Sequence, residues 1–352
     1  MKMLMTVIPA KLNETKDKLI LIDQTLLPNE EKFLELDRAE DIWEAIKKLR
    51  VRGAPAIGIA AAFGLYVCSR KSQATNVADF KKEFVEIKDY LATSRPTAVN
   101  LFWALERMMK RFEREEDKTV AEIKAAFLDE SEKILAEDQA MGKAIGAYGL
   151  SLLKPEMGLL THCNAGALAT VAYGTALGVV REAHYTGKNI FVYADETRPR
   201  LQGGKLTAWE LVQEGIPSKL IADNVAATLI RDGKIDVILV GADRIAFNGD
   251  TANKIGTFML SVIAKTYNVP FYIVAPTTTI DFEIETGDEI VIEERSPEEV
   301  THINGIRIAP EGIDVYNPAF DVTPNENITG IITEKGIVRA PYKENIMKLK
   351  IK

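Results

Sequence analysis

Cysteine and histidine are scarce in this chain, and at one position they are adjacent in sequence. Cys163 is one of two cysteines and follows one of three histidines, His162, in the stretch "THCNAG". Such a thiol could act as a nucleophile, a metal ligand or a redox switch, or it could fill a hydrophobic core. The small residues of "NAGALAT" favour a helix N-terminus close to the thiol, which would stabilise its thiolate. Composition alone leaves packing and chemistry equally open for Cys163.

A second candidate group lies in "VGADRIAFNGDTANKIG". Asp243 follows the apolar run "DVILVG", and a carboxylate at the mouth of a buried strand can act as a general acid or base. We predict Asn253 and Lys254 at the start of the next helix, where Lys254 would suit a phosphate or a substrate hydroxyl. The structural alternatives are a helix N-cap or an ion pair with Arg244 for Asp243, and an ordinary exposed lysine for Lys254.

Two arginine-containing segments have the composition of an anion site. "RGAPAIG" begins at Arg52 and "RPTAVN" begins at Arg95, and each leads into a predicted helix. Backbone amides at a helix N-terminus beside an arginine form a cradle for phosphate. Arginine followed by proline also occurs at ordinary helix starts. Together, however, the two segments predict that the N-terminal part supplies positive groups to an anionic ligand.

Several common site patterns are missing from the sequence. It contains no GxGxxG, GxxxxGK[ST] or GxSxG segment, no CxxC and no HExxH, and its histidines are scattered. These absences disfavour a zinc enzyme and a nicotinamide enzyme. Cys68 lies inside the apolar segment "APAIGIAAAFGLYVC" and is interpreted as core packing.

Bulk properties exclude other classes of protein. Lys and Arg total 44 against 51 Asp and Glu, a net charge of -7, without a basic block. The usual electrostatic footprint of a nucleic-acid or anionic-membrane protein is therefore absent. The longest apolar stretch is short of the roughly 18 residues that a membrane span needs, and the N-terminus turns polar too early for a signal peptide. We expect a cytoplasmic protein with reduced thiols.

The elements that must position these residues fall into two groups. Residues 18–36 are typical of a β-hairpin, and from Asp41 to about residue 153 apolar residues recur at helical spacing. After Lys154, short apolar runs alternate with helical segments, which predicts a parallel sheet covered by helices. The fold class is therefore α/β, with a C-terminal Rossmann-like doubly wound parallel sheet and a smaller N-terminal helical domain with short antiparallel strands. We place the domains at 1–140 and 141–352.

Polar clusters stand where four of the predicted strands end. Ligands of open α/β sheets bind outside the carboxyl ends of the strands, so these clusters are expected to lie along one rim. They are Thr161–Asn164, Asp195–Arg198, Asp223–Asn224 and Gly241–Arg244.

Six segments of the sequence resemble the motifs of one known family. "RGAPAIG", "SRPTAVNLFWALER", "THCNAGALAT", "DETRPRLQGGKLTAWEL", "VGADRIAFNGDTANKIGT" and "NPAFDVTPNENITGIITEKG" are similar to motifs of the S-methyl-5-thioribose-1-phosphate isomerase family of methionine salvage. The resemblance runs in order from about residue 18 to about residue 340. The wider superfamily includes isomerases of 5-deoxyribose 1-phosphate and ribose 1,5-bisphosphate, and regulatory subunits of a translation-initiation exchange factor.

The resemblance implies a reaction and a set of site residues. It implies conversion of a furanose 1-phosphate aldose to the ketose 1-phosphate, with Asp243 as the proton donor and Cys163 as its partner. It implies no metal or organic cofactor, a small-molecule sugar 1-phosphate as substrate, and a homodimer. The substrate contacts that it implies are Arg52, Gly53, Ala54, Arg95, Gln202, Asn253 and Lys254.

One departure and one ambiguity remain at the sequence level. Gly204 and Lys205 stand where the family motif has a small residue and then arginine, and lysine lacks the planar fork of arginine.

The regulatory subunits are expected to lack the Cys163 and Asp243 pair, which favours an enzyme here. No second basic cradle is evident for a 5-phosphate, which favours an apolar 5-substituent, either methylthio or methyl. The sequence does not separate those two substrates.

Overall fold

The computed structural model describes residues 8–96 and 98–351. The chain divides into two units, and the main division falls between Ala140 and Met141, inside one long helix. The first unit also contains the later segment Ala167–Gly174, which the sequence analysis assigned to the C-terminal domain. This segment belongs to the first unit because its carbonyls are bound there: Gln24 Nε2 donates to Leu168 O at 2.8 Å.

The first unit contains three short strands and a set of helices. The strands form an antiparallel sheet in the order β1-β2-β3, as the predicted hairpin requires. The elements are β1 Ala10–Leu12, β2 Leu19–Ile22, β3 Phe33–Leu36, α1 Ala39–Lys47, α2 Ala54–Arg70, α3 Val77–Ala92, α4 Val99–Arg114 and α5 Val120–Leu150, of which residues 141–150 belong to the second unit.

Helix α2 is the centre of this unit. It is apolar on all faces and buried from Ala56 to Ser69, as expected for a helix surrounded by other helices. Helices α1, α3 and α4 pack around it. Stacked and tilted rings of Phe84, Phe112 and Phe127 join α3, α4 and α5 at centroid distances of 4.6–5.8 Å. The predicted packing role of Cys68 fits its position in α2, where it is 8% exposed.

The second unit contains more strands than the first, and seven of them form its main sheet. Its strands are β4 Gly158–Thr161, β5 Phe191–Asp195, β6 Ser218–Ile221, β7 Val237–Val240, β8 Arg244–Ala246, β9 Thr251–Lys254, β10 Phe271–Val274, β11 Ile280–Asp281, β12 His302–Ile303, β13 Ile306–Arg307, β14 Phe320–Thr323, β15 Gly330–Thr333 and β16 Gly336–Val338. Its further helices are α6 Ala176–Tyr185, α7 Ala208–Gln213, α8 Val225–Arg231, α9 Thr257–Thr266, α10 Glu298–Thr301 and α11 Tyr342–Ile351.

The main sheet has seven strands in the order β16-β15-β10-β7-β4-β5-β6. All neighbours in it are parallel except β15 and β16. Counted from β4, the six parallel strands follow the 3-2-1-4-5-6 order of the Rossmann fold, so the predicted fold class is confirmed. The strand order reverses between β4 and β7, and ligands of such sheets bind at that switch point.

A second sheet, in the order β11-β8-β9-β14, was not predicted. Strand β9 pairs with β8 on one side and with β14 on the other. The prediction that the helix begins near Asn253 is therefore wrong, and α9 begins only at Thr257, after Gly256 in a left-handed conformation with φ 103°. Tertiary pairing on both edges decides the conformation of this segment over its local helical pattern.

The segment after Cys163 also differs from its prediction. Helix α6 begins at Ala176, and residues 164–175 are irregular. Their peptide groups bond outside a helical ladder, since Thr175 N and Leu177 N both donate to Ala165 O. The expected helix N-terminus beside the Cys163 thiol is therefore absent. In the part of the chain that the structure describes, no helix combines the length and apolarity required to cross a bilayer.

Candidate functional site

Cys163 lies just past the carboxyl end of β4, at the switch point of the main sheet. It is partly exposed. Two threonines fix its backbone: Cys163 N donates to Thr197 Oγ1 at 2.8 Å, and Thr207 Oγ1 donates to Cys163 O at 2.6 Å. The hydroxyl of Thr197, on the loop after β5, and that of Thr207, in the helical turn that follows this loop, thus hold the peptide units on both sides of the thiol.

The loops after β4 and β5 contain backbone conformations that ordinary residues avoid. Cys163 has φ 63°, Thr197 has φ 64° and Leu201 has φ 61°. Positive φ is uncommon for any residue with a Cβ and is unusual for a β-branched one. Such strain persists only where surrounding contacts hold it, and it is concentrated at functional sites.

His162, next to the candidate thiol, is buried and bonded at both ring nitrogens. It is 1% exposed, with Nδ1 2.9 Å from Asp195 Oδ2 and Nε2 2.8 Å from Ile255 O. Burial lowers the pKa of His162, but the hydrogen bond and charge of Asp195 outweigh burial and raise it above its ordinary value. Burial raises the pKa of Asp195 to about 6, against the opposing effect of His162. The two groups form a buried acid-base pair.

Asn164, on the other side of the thiol, belongs to a buried ionic network. Its Nδ2 donates to Glu210 Oε1 at 2.8 Å, and Arg181 Nη2 donates to Glu210 Oε2 at 2.6 Å. Arg181 also bonds Glu214 through Nε. Arg181, Glu210 and the side chain of Glu214 are at most 3% exposed. Both neighbours of Cys163 are therefore anchored by groups that water does not reach.

Asp243 follows β7, the strand hydrogen-bonded to β4. Its N–H donates to Ala252 O at 2.9 Å, which ties it to strand β9. The loops after β4 and β7 approach closely, because a Cβ placed on Gly241 would lie 3.0 Å from the Cβ of Ala165. The two candidate catalytic residues thus follow neighbouring parallel strands on the same edge of the sheet.

Asn253 and Lys254 lie on β9 and are 5% and 8% exposed. Lys254 Nζ donates to Ala319 O at 2.8 Å and lies 4.3 Å from the ring centroid of Phe320. The reading of Lys254 as an ordinary exposed lysine is therefore wrong. Asn253 Nδ2 donates to Thr257 Oγ1 at 2.9 Å.

The N-terminus of α9 is already occupied by a carboxylate. Asp321 accepts the N–H of Gly256 at 2.7 Å and the N–H of Phe258 at 3.0 Å. A phosphate at this helix end would meet the charge of Asp321, so the expected use of the helix terminus by Lys254 is also wrong.

Gln202 is 8% exposed, and its Oε1 has no hydrogen-bond partner among the described residues. It precedes a π-helical turn, Gly203–Thr207, that leads into α7. Such turns are frequent at functional sites. Gly203 allows the turn to approach β5, since a Cβ there would lie 1.7 Å from Asp195 O. A buried acceptor without a partner is suited to a donor on a ligand.

The departure at Gly204 and Lys205 is mild in structural terms. A Cβ on Gly204 would make only ordinary contacts, the nearest at 3.8 Å. Burial, and then the charge of Arg200, lower the pKa of Lys205. Lys205 lines a cavity of about 190 Å³ together with Arg200 and Glu299, which form an ion pair.

Arg52, Gly53 and Ala54 lie in the first unit, at the start of α2. Gly53 has φ 90°, and a Cβ there would lie 2.2 Å from Ala169 O, so this position requires glycine. The first turn of α2 has no side-chain cap and no acidic residue. Of the first amides of α2, Pro55 has none and Ala56 donates its N–H to Ala169 O at 3.3 Å, so the anion site expected at Arg52–Ala54 remains a prediction.

Arg95 also lies in the first unit, before α4. It is partly exposed, and α4 begins at Val99, again without a side-chain cap or an acidic residue in the first turn. Arg95 O accepts the N–H of Ala98 at 3.0 Å, which forms a turn at the helix start. Helix α4 therefore begins without a side-chain cap, as α2 does, and the phosphate-binding role expected of the two arginine segments remains a prediction.

Among the described residues, one group has the composition of a metal site. His162, Asp195 and Asp223 each offer a ligand atom within 4.8 Å of the others. Hydrogen bonds already occupy them: Asp223 accepts the backbone N–H groups of Thr197 and Arg198, both at 2.7 Å. His162 and Asp195 are thus bonded to each other, and Asp223 is bonded to the backbone of the loop after β5.

The residues that support this site could not be recognised from the sequence. Asp195, Thr197 and Asp223 were present in the strand-end clusters, but their roles depend on which strands are neighbours. Thr207 and Asp321 carried no local signal, because each acts on a loop distant in sequence.

Comparison with known proteins places the chain among relatives of nearly equal length. The family model described as "Initiation factor 2 subunit family" matches residues 50–340. A Petrotoga mobilis protein named 5-deoxyribose 1-phosphate isomerase is 67% identical over 98% of this chain and 99% of its own. A Thermoanaerobacter protein named methylthioribose-1-phosphate isomerase is also 67% identical, over 94% of this chain and 96% of its own.

A solved structure is similar over the whole chain. The crystal structure of 5-methylthioribose 1-phosphate isomerase from Pyrococcus horikoshii OT3 has a TM-score of 0.95 and 47% identity, covering 99% of this chain and 97% of that chain. On these similarities the chain belongs to the initiation factor 2 subunit family and, within it, to the methylthioribose-1-phosphate isomerase family.

Proposed function

We propose that this protein is an aldose-ketose isomerase that converts S-methyl-5-thio-α-D-ribose 1-phosphate to S-methyl-5-thio-D-ribulose 1-phosphate in methionine salvage. The observation that carries the proposal is the position of Cys163 and Asp243 after the adjacent strands β4 and β7, at the switch point of the sheet. The name of the Thermoanaerobacter relative at 67% identity supports it, whereas the Petrotoga relative at the same identity is named for the 5-deoxy sugar and supports the reaction class alone.

The substrate dictates what the residues must do. A phosphate on the anomeric oxygen blocks the spontaneous ring opening of ordinary aldoses, so the ring oxygen must be protonated as its bond to C1 breaks. Asp243 supplies that proton. A hydrogen then moves from C2 to C1 while the C2 hydroxyl becomes a carbonyl. If the hydrogen moves as hydride, Cys163 takes the proton of the C2 hydroxyl. If it moves as a proton, Cys163 carries it from C2 to C1 and the Asp243 carboxylate takes back a proton from the C2 hydroxyl.

The remaining candidate residues bind the substrate in this proposal. Arg52, Gly53, Ala54 and Arg95 bind its phosphate through guanidinium groups and helix amides. Gln202, Asn253 and Lys254 bind the sugar hydroxyls, which is consistent with the unpartnered Oε1 of Gln202.

The deciding experiment is a comparison of kcat/KM on the methylthio and 5-deoxy sugar 1-phosphates. The two substrates differ at an apolar tail, which a pocket discriminates by about 1–3 kcal/mol, or 10–200-fold. A preference for the methylthio sugar supports the proposal, and a preference for the deoxy sugar assigns the alternative named for the Petrotoga relative. Turnover of neither substrate contradicts both.

Variants of the pair test its roles. Cys163→Ser and Asp243→Asn should each lower kcat by about 10²–10⁴-fold, as expected for loss of acid-base catalysis. Near-normal turnover of either variant would contradict the assignment. Reaction in D₂O tests the route: deuterium at C1 of the product indicates proton transfer through a group that exchanges with water, whereas a hydrogen that moves as hydride is retained.

The family name raises a second function, that of a non-catalytic initiation-factor subunit. Regulatory subunits are expected to lack the Cys163 and Asp243 pair, so its presence favours the enzyme. Stable co-purification with initiation-factor subunits, without turnover of either sugar phosphate, would favour the second function.

We also propose that the protein forms a homodimer. Helix α9 exposes Phe258, Met259 and Val262, each 42–43% accessible, on one side. Exposed apolar clusters of this kind mark protein interfaces. Light scattering after gel filtration tests the proposal: a mass near 78 kDa, twice the chain mass of 39.0 kDa, supports it, and 39.0 kDa contradicts it.

A further inference from the structure

The ring of His162 joins three segments that carry candidate site residues. Through its own backbone it is the neighbour of Cys163. Its Nδ1 reaches Asp195 at the end of β5, and its Nε2 reaches the carbonyl of Ile255, the residue after Lys254. Gly256 closes against the ring, since a Cβ there would lie 3.1 Å from Nε2.

The protonation of this ring follows from its partners. A backbone carbonyl can only accept, so Nε2 must carry a hydrogen and donate it to Ile255 O. The contact between Nδ1 and Asp195 Oδ2, at 2.9 Å, then contains one further proton, on the imidazole or on the carboxyl. In either form the pair as a whole has no net charge, which suits its nearly complete burial.

Asp195 supports the thiol loop a second time, through its backbone. Thr197 Oγ1 donates to Asp195 O at 3.1 Å and accepts the N–H of Cys163. The side chain of Asp195 therefore fixes the ring before the thiol, while its carbonyl orients the hydroxyl that holds the thiol's own peptide. These bonds oppose relaxation of the left-handed backbone at Cys163.

We infer that His162 is a positioning residue for the proposed isomerase: its imidazole holds the Cys163 loop, the end of β5 and the Lys254–Ile255 segment in one fixed arrangement. The inference rests on the proposed function. His162 does not exchange protons with the substrate, because both of its ring nitrogens are already bonded within the protein.

Two substitutions separate positioning from proton transfer. In Asp195→Asn, the amide can donate to Nδ1 of a neutral imidazole while Nε2 still donates to Ile255 O, so both bonds persist and only the shared proton is lost. In His162→Leu, both bonds are lost at similar side-chain volume. Positioning predicts that His162→Leu lowers kcat by about 10²-fold, the cost of a small misplacement, with KM changed less than about fivefold.

The same inference predicts that Asp195→Asn keeps kcat within about threefold of the original enzyme, with an unaltered pH profile. If His162→Leu also keeps kcat within threefold, the inference fails. If Asp195→Asn lowers kcat as much as His162→Leu does, the shared proton takes part in the reaction and the positioning role is overturned.

A second measurement does not depend on turnover. Iodoacetamide should alkylate the Cys163 thiol selectively, because Cys68 is buried and burial raises the pKa of Cys68 to about 12. Positioning predicts that the alkylation rate of Cys163 changes at least about fivefold in His162→Leu and stays unchanged in Asp195→Asn. Alkylation that responds in this way in a protein inactive on both sugars would refute the proposed function alone. Unchanged alkylation and unchanged kcat in an active protein would refute the role of His162 alone.

Controls address folding, histidine removal and metal. His184→Gln removes a partly buried histidine whose ring contacts Tyr185, and it should leave kcat and alkylation unchanged. If His162→Leu does not fold by circular dichroism, His162→Gln, which retains one amide donor, replaces it. Its kcat and alkylation rate should then change in the same direction but less, and a kcat within threefold of the original enzyme would again contradict the inference. Dialysis against EDTA should not alter turnover; loss of activity that zinc restores would make His162, Asp195 and Asp223 metal ligands and overturn the inference.

Discussion

The two units of the molecule position their candidate site residues by opposite means. In the first unit the start of α2 is set by apolar packing of the helix behind it and by a glycine in close contact with backbone. In the second unit Cys163 is set by hydroxyl, imidazole, carboxylate and guanidinium groups, many fully buried. The proposed binding of an anion by amides needs a rigid helix end, whereas the proposed chemistry at the thiol needs control of individual atoms.

This contrast has consequences for mutation. A packed helix end is sensitive to added volume, since interiors are close-packed. A buried polar network is sensitive to the loss of one partner, because the remaining group keeps its desolvation cost. Substitutions chosen in each unit should therefore fail for different reasons.

The largest effect is expected for Arg181→Met in the second unit. Glu210 and Glu214 would lose their buried cation, and breaking a buried pair costs about 3–5 kcal/mol. Chemical denaturation measures this as a lower free energy of unfolding. Arg231→Met is the matched control: its ion pair with Asp232 is about half exposed, so it should change stability by less than about 1 kcal/mol. Equal losses of unfolding free energy in the two variants would contradict the claim that the second unit depends on its buried polar network.

The first unit is held together mainly by apolar packing, and Asp138 is an exception because it is a buried carboxylic acid. It is 8% exposed, and burial raises its pKa from 3.8 to about 7, against a backbone hydrogen bond from Val171. The folded protein therefore retains a proton that the unfolded chain releases near pH 3.8. Stability from this group is complete below that pH and is lost as the pH rises towards 7, by at most about 4 kcal/mol.

Asp138→Asn should remove that dependence. We expect the variant to be more stable than the original protein at pH 8 and no more stable at pH 4, as measured by Tm across this range. An unchanged slope of Tm against pH would show that Asp138 is ionised without cost.

Gly53→Ala tests the close approach at the start of α2. The backbone of Gly53, with φ 90° and ψ 137°, is strained for a residue with a Cβ by about 1–3 kcal/mol, and the added carbon would displace the backbone at Ala169. We expect KM for the sugar phosphate to rise about tenfold, or about 1.4 kcal/mol, with a smaller effect on kcat. Gly187→Ala has a similar φ of 78° with nothing within 4 Å, so it should lower stability without raising KM.

The smallest effect is expected at the family departure. Gly204→Ala meets only ordinary contacts and should stabilise the helical turn by about 0.5–1 kcal/mol, with kcat/KM within about twofold. Gly203→Ala, one residue earlier, would collide with Asp195 O and should destabilise the protein. Similar results for the two variants would mean that the turn moves freely.

The helices and parallel strands could be predicted where periodicity is strong. The all-apolar α2 and the buried strands β4, β7 and β10 are unambiguous in sequence. The second sheet was missed because β8, β9 and β14 are short and depend on one another for pairing. The segment after Cys163 was misread as helix because its hydrogen-bond partners lie elsewhere in the chain.

The candidate site, like the fold, could be predicted from the sequence only in part. The rim of the sheet could be predicted, since strand ends are local features and parallel strands share an edge. The burial of Lys254 and the bonds of His162 could not, because they require Ala319, Asp195 and Ile255 to be neighbours in space. Roles for individual residues came from the family resemblance and remain predictions.

The return of Ala167–Gly174 to the first unit limits how this protein can be divided or recombined. A fragment that ends at Ala140 would leave the buried amide of Gln24 without its carbonyl and α2 without the peptide against which Gly53 packs. A chimaera that exchanges the first unit with that of a relative must carry residues 167–174 from the same parent. During synthesis, likewise, the ribosome must pass Gly174 before the first unit has all of its parts.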